Sequence, residues 1–192
     1  MKRMLVNIRG CNGSGKSTFP NSMRQISNWE IVGDKGKEVT VFKDISWVAL
    51  GKYNKTSGGM DRYKNFQIMN DALAFAVQEF PEHDILMEGV MFSTVKAPTI
   101  DTLKPYHKDR NILILVLAPP LEVCLQRILE RNGGKPINES ILRNKWRTVT
   151  NSVEYFREAG FNTIRVDTSK VKRERMLSNF LREVEKHRAM GS

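Results

Sequence analysis

The chain has few of the features that mark secreted or membrane proteins. Its 192 residues contain only two cysteines, Cys11 and Cys124, which are too few for a disulfide framework or a cysteine-ligated metal site. No apolar run reaches the roughly 18 residues needed to cross a bilayer. The first residues lead directly into an apolar strand, so we expect no signal peptide. These absences predict a cytoplasmic protein without a membrane partner.

Acidic residues are scarce relative to basic ones. Lys and Arg number 31 against 21 Asp and Glu, which gives a formal net charge of +10. Such a surplus attracts polyanions, so DNA, RNA or a highly phosphorylated substrate would fit. The alternative is the moderate basicity of many nucleotide-binding enzymes. The length predicts a single domain over residues 1–190, and 191–192 are expected to be a remnant of recombinant expression without function.

Alternating strand and helix patterns predict the fold. Short apolar runs indicate buried strands at 4–9, 85–87, 112–117 and 162–166, and apolar residues at helical spacing indicate helices at 69–80, 121–128, 142–156 and 177–184. This alternation predicts an α/β protein, a three-layer α/β/α sandwich with a parallel central sheet. The runs at 29–32, 38–42 and 45–50 predict a hairpin and a further strand, and the pattern does not say which of them joins the sheet.

The strongest motif follows the first strand. Gly10-Cys11-Asn12-Gly13-Ser14-Gly15-Lys16-Ser17 matches the phosphate-binding loop G-x-x-x-x-G-K-[ST] in full. Backbone amides of such a loop surround the β-phosphate, and the following helix adds the positive end of its dipole. Lys16 is expected to reach the β- and γ-phosphates, Ser17 to hold Mg²⁺ and Thr18 to contact the α-phosphate. The predicted ligands of ATP are Asn12, Gly13, Ser14, Gly15, Lys16, Ser17 and Thr18.

Other classes of phosphate-loop protein fit less well. A GTPase switch usually carries an Asn-Lys-x-Asp segment after a central strand, whereas this chain has Ala118-Pro119-Pro120-Leu121-Glu122 there. A motor ATPase normally needs a longer chain and acidic pairs after the second strand, but 84–89 supplies a single acid at that point. A small kinase fits the length and the motifs better.

The chain resembles the nucleoside and nucleotide kinase branch of the phosphate-loop proteins. The likeness rests on the loop at 10–18, Glu88-Gly89, the Ala118-Pro119 turn, and Arg127 and Arg131 before a glycine-containing segment. It implies the fold of the nucleoside monophosphate kinases, with a small helical lid at about 127–147 and a substrate-side insertion at about 29–66. Lids of this kind bring arginines to the transferring phosphoryl group, so Arg127 and Arg131 are catalytic candidates. The alternative is a solvated basic helix face.

Three shorter strings carry a narrower resemblance. Gly51-Lys52-Tyr53, Gly58-Gly59-Met60-Asp61 and Glu88-Gly89-Val90-Met91 are similar to those of phage kinases that phosphorylate 5-hydroxymethyluracil in DNA. The resemblance implies transfer of the γ-phosphoryl group of ATP to that hydroxymethyl group, a DNA partner and the host cytoplasm. Two alternatives stay open, a deoxynucleoside monophosphate kinase and a nucleotide-gated nucleic-acid binding module. The oligomeric state is not indicated.

Phosphoryl transfer to a hydroxyl needs a carboxylate that accepts its proton. Asp61, after the Gly58-Gly59 turn, is the predicted base, and a helix N-cap is the alternative role. Glu88 ends a buried strand and is the predicted acid on the metal side, where it would hold Mg²⁺ together with Ser17. Asp44 is the reserve candidate for the base.

Cations and aromatics alternate between positions 51 and 66. Lys52, Tyr53, Arg62 and Tyr63 are the predicted substrate-binding residues, because cations can meet DNA phosphates while an aromatic ring stacks on a base. A second basic cluster close to the lid contains Arg143, Lys145 and Arg147. The alternative for both stretches is a solvated surface.

Overall fold

The computed structural model describes residues 2–54 and 59–190, and its strands form one sheet. Gly58 of the predicted turn and residues 191–192 lie outside the described residues. The strands are β1 (Arg3–Arg9), β2 (Trp29–Val32), β3 (Val39–Phe42), β4 (Trp47–Leu50), β5 (Asp84–Glu88), β6 (Arg110–Leu117) and β7 (Asn162–Val166). Their order across the sheet is β2-β3-β4-β5-β1-β6-β7.

Five neighbouring strands are parallel, as predicted. In β1, Val6 pairs with Leu86 of β5 on one side and with Leu113 of β6 on the other. β4 and β7 extend this parallel sheet at its two sides. β2 and β3 are antiparallel additions beside β4. The three runs at 29–32, 38–42 and 45–50, whose place the sequence left open, therefore all join the sheet. Their connections are too short for a crossover, and therefore these strands pair as hairpins.

Helices cover both faces of the sheet. They are α1 (Thr18–Ile26), α2 (Phe66–Glu79), α3 (Val90–Thr94), α4 (Ala97–Leu103), α5 (Leu121–Arg131), α6 (Glu139–Thr150), α7 (Val153–Glu158) and α8 (Arg173–Met190). Leu5 of β1 packs in the core with residues of α2 and α7, while Met4 and Val6 face the core formed with α1 and α8. Because successive strand residues point to opposite faces, this strand serves both cores.

Two helix predictions need comment. The predicted helix at 69–80 is α2, which starts at the cap Asn65, whose side chain accepts a hydrogen bond from Ile68 N at 2.9 Å, and ends before Pro81. The single helix predicted over 142–156 is wrong, because the chain turns at 151–152 and forms α6 and α7. Ser152 N and Ser152 Oγ both donate to Val149 O, at 3.1 and 2.6 Å, and these two bonds hold the turn between the helices.

The carboxyl ends of the parallel strands meet at one edge. The phosphate loop follows β1, Gly89 follows β5, Ala118 follows β6 and Asp167 follows β7. Ligands of open α/β sheets bind in this crevice. Among residues 2–54 and 59–190, no helix combines the length and the apolar character needed to cross a membrane.

Candidate active site

The phosphate loop is closely packed around Lys16. The Lys16 side chain is 5% exposed, and its Nζ donates to Gly10 O at 2.8 Å and to Cys11 O at 2.9 Å. Burial lowers the pKa of the Lys16 ammonium, and the Glu88 carboxylate opposes that shift. Gly13 has φ of +79°, and a Cβ there would lie 2.4 Å from Cys124 O. The loop therefore rests directly on α5 because residue 13 has no side chain.

Glu88 lies beside the start of α1. It is 2% exposed, and its Oε1 accepts hydrogen bonds from Tyr53 Oη at 2.8 Å and from Ser17 Oγ at 3.4 Å. Burial raises the pKa of Glu88, while the Lys16 ammonium and the bond from Tyr53 act against that rise. Gly59 closes the cluster, since a Cβ on its backbone would lie 2.4 Å from Glu88 Oε1.

Ser17 and Glu88 are thus brought together, as their predicted shared role requires. The hydroxyl and carboxylate oxygens are the hard ligands that Mg²⁺ prefers, and it commonly takes one or two such protein ligands beside substrate phosphates. The donor set therefore fits Mg²⁺.

Asp61 caps a helix, although not its own. It lies in a short 3₁₀ helix, Met60–Arg62, and its Oδ2 accepts from Val90 N at 2.9 Å while Oδ1 accepts from Met91 N at 3.1 Å. These are the first amides of α3, so both carboxylate oxygens are fixed beside Gly89. The Asp61 side chain remains exposed. It therefore combines a fixed position with exposure to solvent.

The two lid candidates lie on α5 and differ in their contacts. Arg127 is half-buried, and its guanidinium donates to Gly13 O at 3.3 Å, to Thr168 Oγ1 at 3.0 Å and to Thr168 O at 3.1 Å. Arg131, one turn further on, is exposed. Arg127 therefore ties the phosphate loop to the segment after β7.

The predicted substrate-binding residues divide into two groups. Lys52 is half-buried and forms an ion pair with Glu38 at 2.8 Å, whereas Arg62 is exposed and donates to Asn54 Oδ1 at 3.2 Å. Tyr53 is fully buried. Tyr63 is also buried, and its Oη donates to Glu38 O at 2.8 Å.

The prediction that Tyr53 or Tyr63 stacks on a DNA base is therefore wrong, because neither ring faces solvent in this structure. Their hydroxyls are used inside the protein, and burial raises the pKa of both phenols. Alternation of cations and aromatics in a loop does not distinguish a surface ring from a core ring, and this is why the sequence suggested the wrong role.

The reserve base lies at the wrong edge of the sheet. Asp44 precedes β4, and its Oδ2 accepts from Asn28 N at 2.7 Å. The amino end of a parallel strand is remote from the phosphate loop, which follows the carboxyl end of β1. Asp44 is thus removed from the candidates, and its carboxylate stabilises a local turn.

Sequence reasoning missed three residues that shape the loop. Arg9 is fully buried, and its guanidinium donates to Thr99 Oγ1 at 2.9 Å and to the carbonyls of Ser93 and Val95 at 2.7 and 2.6 Å. Ser93 Oγ accepts from Gly10 N at 3.2 Å, and Thr168 Oγ1 donates to Ser14 O at 2.9 Å. The charge of Arg9 inside an apolar strand was the available signal for that residue, and the place of Thr168 directly after the last strand was the signal for the second.

Comparisons with known proteins identify relatives of the whole site. A family model described as 5-hmdU DNA kinase matches residues 2–176. A 5-hmdU DNA kinase of Bacillus phage SP10 is 38% identical over 174 residues, which are 86% of this chain and 27% of that protein. The chain thus spans about a quarter of the length of that relative. A 5-hmdU DNA kinase 1 of Salmonella phage ViI is 36% identical over 149 residues, covering 76% of this chain and 67% of that one.

A solved structure confirms the fold. The YorR protein of Bacillus subtilis, solved in complex with phosphorylated GDP, aligns with a TM-score of 0.54 over 95% of this chain and 98% of that one, at 14% identity. The matched family model spans both the loop at 10–17 and the carboxylate of Glu88 beside it, so the site and the family assignment agree. The chain therefore belongs to the 5-hmdU DNA kinase family.

Proposed function

We propose that the chain transfers the γ-phosphoryl group of ATP to the 5-hydroxymethyl group of 5-hydroxymethyluracil in DNA. The observation that carries this proposal is the presence of two carboxylates at the mouth of the phosphate loop. Glu88 is buried and bonded to Ser17, and Asp61 is exposed and held in place by two backbone amides. The relatives from Bacillus phage SP10 and Salmonella phage ViI, both named for this activity, support it.

The phosphate loop would bind the triphosphate and orient it for attack. Loop amides and Lys16 hold the β- and γ-phosphates, and residues 12–18 supply the contacts. Ser17 and Glu88 would hold Mg²⁺, which neutralises phosphate charge when bound. The burial of Lys16 and Glu88 excludes water from this side, which favours transfer over hydrolysis.

Asp61 would act as the base. The acceptor hydroxyl oxygen attacks the γ-phosphorus, its proton passes to a carboxylate oxygen of Asp61, and the bond to the β-phosphate oxygen breaks to release ADP. Asp61 suits this role because its side chain is exposed, whereas Glu88 is closed off by Gly59 and Tyr53. The hydrogen bonds from the α3 amides hold the carboxylate in one orientation.

Arg127 and Arg131 would stabilise charge on the transferring group, with 127–147 as the lid of a single domain. Arg127 contacts the phosphate loop through Gly13 O, which places a guanidinium beside the proposed triphosphate site. Lys52 and Arg62 lie on the surface of the segment at 29–66 and would contact the DNA near the target base.

Incubation with γ-labelled ATP tests the proposal. We expect label in an oligonucleotide that contains 5-hydroxymethyluracil and none in the same oligonucleotide with thymine. Label in a nucleoside diphosphate would support the monophosphate kinase alternative instead, and the absence of any transfer would leave only a binding module. Asp61→Asn should lower the transfer rate about a hundredfold or more with ATP affinity unchanged. Asp101→Asn, an exposed acid on α4, is the matched control.

A further inference from the structure

A cavity of about 640 Å³ lies beyond the phosphate loop, at the carboxyl ends of β6 and β7. Arg143 and Arg147 of α6 and Arg165 of β7 line it, together with Trp146. We call these four residues the arginine groove. Ile164 and Val166 pack against the core of α8, so alternation along β7 turns Arg165 toward the α6 side. Cations from two separate elements thus face one space.

Among the described residues, the three guanidinium groups have no bonding partner. All three side chains are exposed, and none forms an ion pair or a side-chain hydrogen bond with another residue in the described ranges. Two other arginines differ in this respect: Arg127 makes three hydrogen bonds, and Arg188 is paired with Asp84. The groove therefore presents positive charge that the fold itself does not use.

Two acids also line the cavity, and one of them is engaged elsewhere. The Asp167 carboxylate accepts from Ser169 N at 2.9 Å and from Ser169 Oγ at 2.6 Å, as the cap of the next turn. Glu122 is exposed at the start of α5. Three guanidinium groups therefore face two carboxylates, and the lining keeps a net positive charge.

The groove is held in a fixed geometry. Trp146 Nε1 donates to Pro119 O at 2.8 Å, which ties α6 to the end of β6. Arg143 and Arg147 are one helical turn apart, about 6 Å along the axis, and flank Trp146 on the same face. Two guanidinium groups spaced along one helix suit successive phosphates of a polyanion better than a single small anion.

The groove lies on the acceptor side of the sheet. α6 packs against α3, whose first amides are bound by Asp61. On its other side, Asp167 precedes Thr168, which donates to Ser14 O of the phosphate loop. A strand whose modified base reaches Asp61 would therefore pass over α3 and α6 toward the three arginines.

We propose that the arginine groove binds the phosphodiester backbone of the DNA strand that flanks the target base. This inference rests on the proposed function, because it assigns the path of that function's DNA substrate. Each arginine contacts a phosphate, and these contacts carry no sequence information. The groove therefore increases affinity for DNA without selecting the base.

The test compares two triple variants of equal charge. Arg143→Gln, Arg147→Gln and Arg165→Gln remove the groove cations. Lys2→Gln, Lys104→Gln and Lys108→Gln remove three exposed cations that precede β1 and β6, at the opposite edge of the sheet. Fluorescence anisotropy measures the Kd for a labelled single-stranded oligonucleotide at several salt concentrations, and a second titration measures the Kd for ATP.

We expect the groove variant to raise the DNA Kd about tenfold or more. The slope of the logarithm of the binding constant against the logarithm of the salt concentration should become less steep by about two, since each of three phosphate contacts on a single strand contributes roughly 0.7. The ATP Kd should stay unchanged. An effect on DNA no larger than that of the control variant would overturn the proposal, and so would a rise in the ATP Kd, which would assign the groove to the nucleotide. If the wild-type protein does not phosphorylate hydroxymethyluracil in DNA, the proposed function is rejected. The binding comparison would still decide whether the groove binds DNA.

Discussion

Replacement of Tyr53 by Phe tests the cluster around Glu88. The substitution removes the hydroxyl that donates to Glu88 Oε1 at 2.8 Å and leaves a buried carboxylate with Ser17 Oγ, at 3.4 Å, as its remaining side-chain donor. Loss of a hydrogen bond to a buried charged acceptor costs about 1.5–3 kcal/mol. At roughly 2–4 °C per kcal/mol for a protein of this size, Tm should fall by about 3–12 °C.

A double-mutant cycle isolates the hydrogen bond from other effects. In a Glu88→Gln background the acceptor is neutral, so the same Tyr53→Phe change should cost only about 0.5–1.5 kcal/mol. The kinase activity of Tyr53→Phe should also need a higher Mg²⁺ concentration for half-maximal rate, because the carboxylate is less well oriented. Scanning calorimetry gives the first quantity, and a Mg²⁺ titration of the initial rate gives the second.

Tyr63→Phe is the matched control for this prediction. Its hydroxyl donates to the backbone carbonyl of Glu38 at a similar distance, 2.8 Å, and does not contact Glu88. It should lower stability by about 0.5–1.5 kcal/mol without changing the Mg²⁺ requirement. A Tyr53→Phe protein whose Tm and Mg²⁺ requirement both equal those of the wild type would refute the assigned role of Tyr53.

Three further predictions concern the loop, the histidines and the thiols. Lys16→Ala should abolish phosphoryl transfer while circular dichroism shows an intact fold; retained turnover would contradict the role of the ammonium. Burial lowers the pKa of His83 and His107 below the ordinary 6.5, so the unfolded chain takes up protons first and the free energy of unfolding should fall as pH drops from 7.5 to 5.5. Urea denaturation at both pH values measures this, and a His83→Gln/His107→Gln protein with the same pH dependence would argue against it. Cys11 and Cys124 are buried with their sulfurs 3.5 Å apart, so Ellman's reagent should label them only after unfolding; a fast-reacting thiol in the native protein would show that the loop opens.

The fold and the phosphate loop were predictable because both depend on local patterns. The apolar run in β6 and the eight-residue motif at 10–17 carry their own signals of burial and phosphate binding. The acceptor side was harder. Whether Tyr53 faces solvent or Glu88 depends on how the segment after β4 folds back over β5, and that path is a long-range property of the chain.

Asp61 illustrates the same limit in another way. A cap of its own helix was a reasonable prediction from its neighbours, but the amides it binds lie about 30 positions further along the chain, at Val90 and Met91. Sequence patterns report helix caps only when donor and acceptor are close along the chain. The arginine groove, which unites α6 with β7, was visible from sequence only as the cluster that contains Arg143 and Arg147.

The bond from Thr168 to Ser14 joins positions 154 residues apart. During synthesis the phosphate loop is made before the segment at residue 168 that helps to fix its shape. Nucleotide should consequently bind late in folding, after β7 has docked beside β6. A nascent chain that stops before residue 168 is expected to contain the complete motif and still fail to retain ATP.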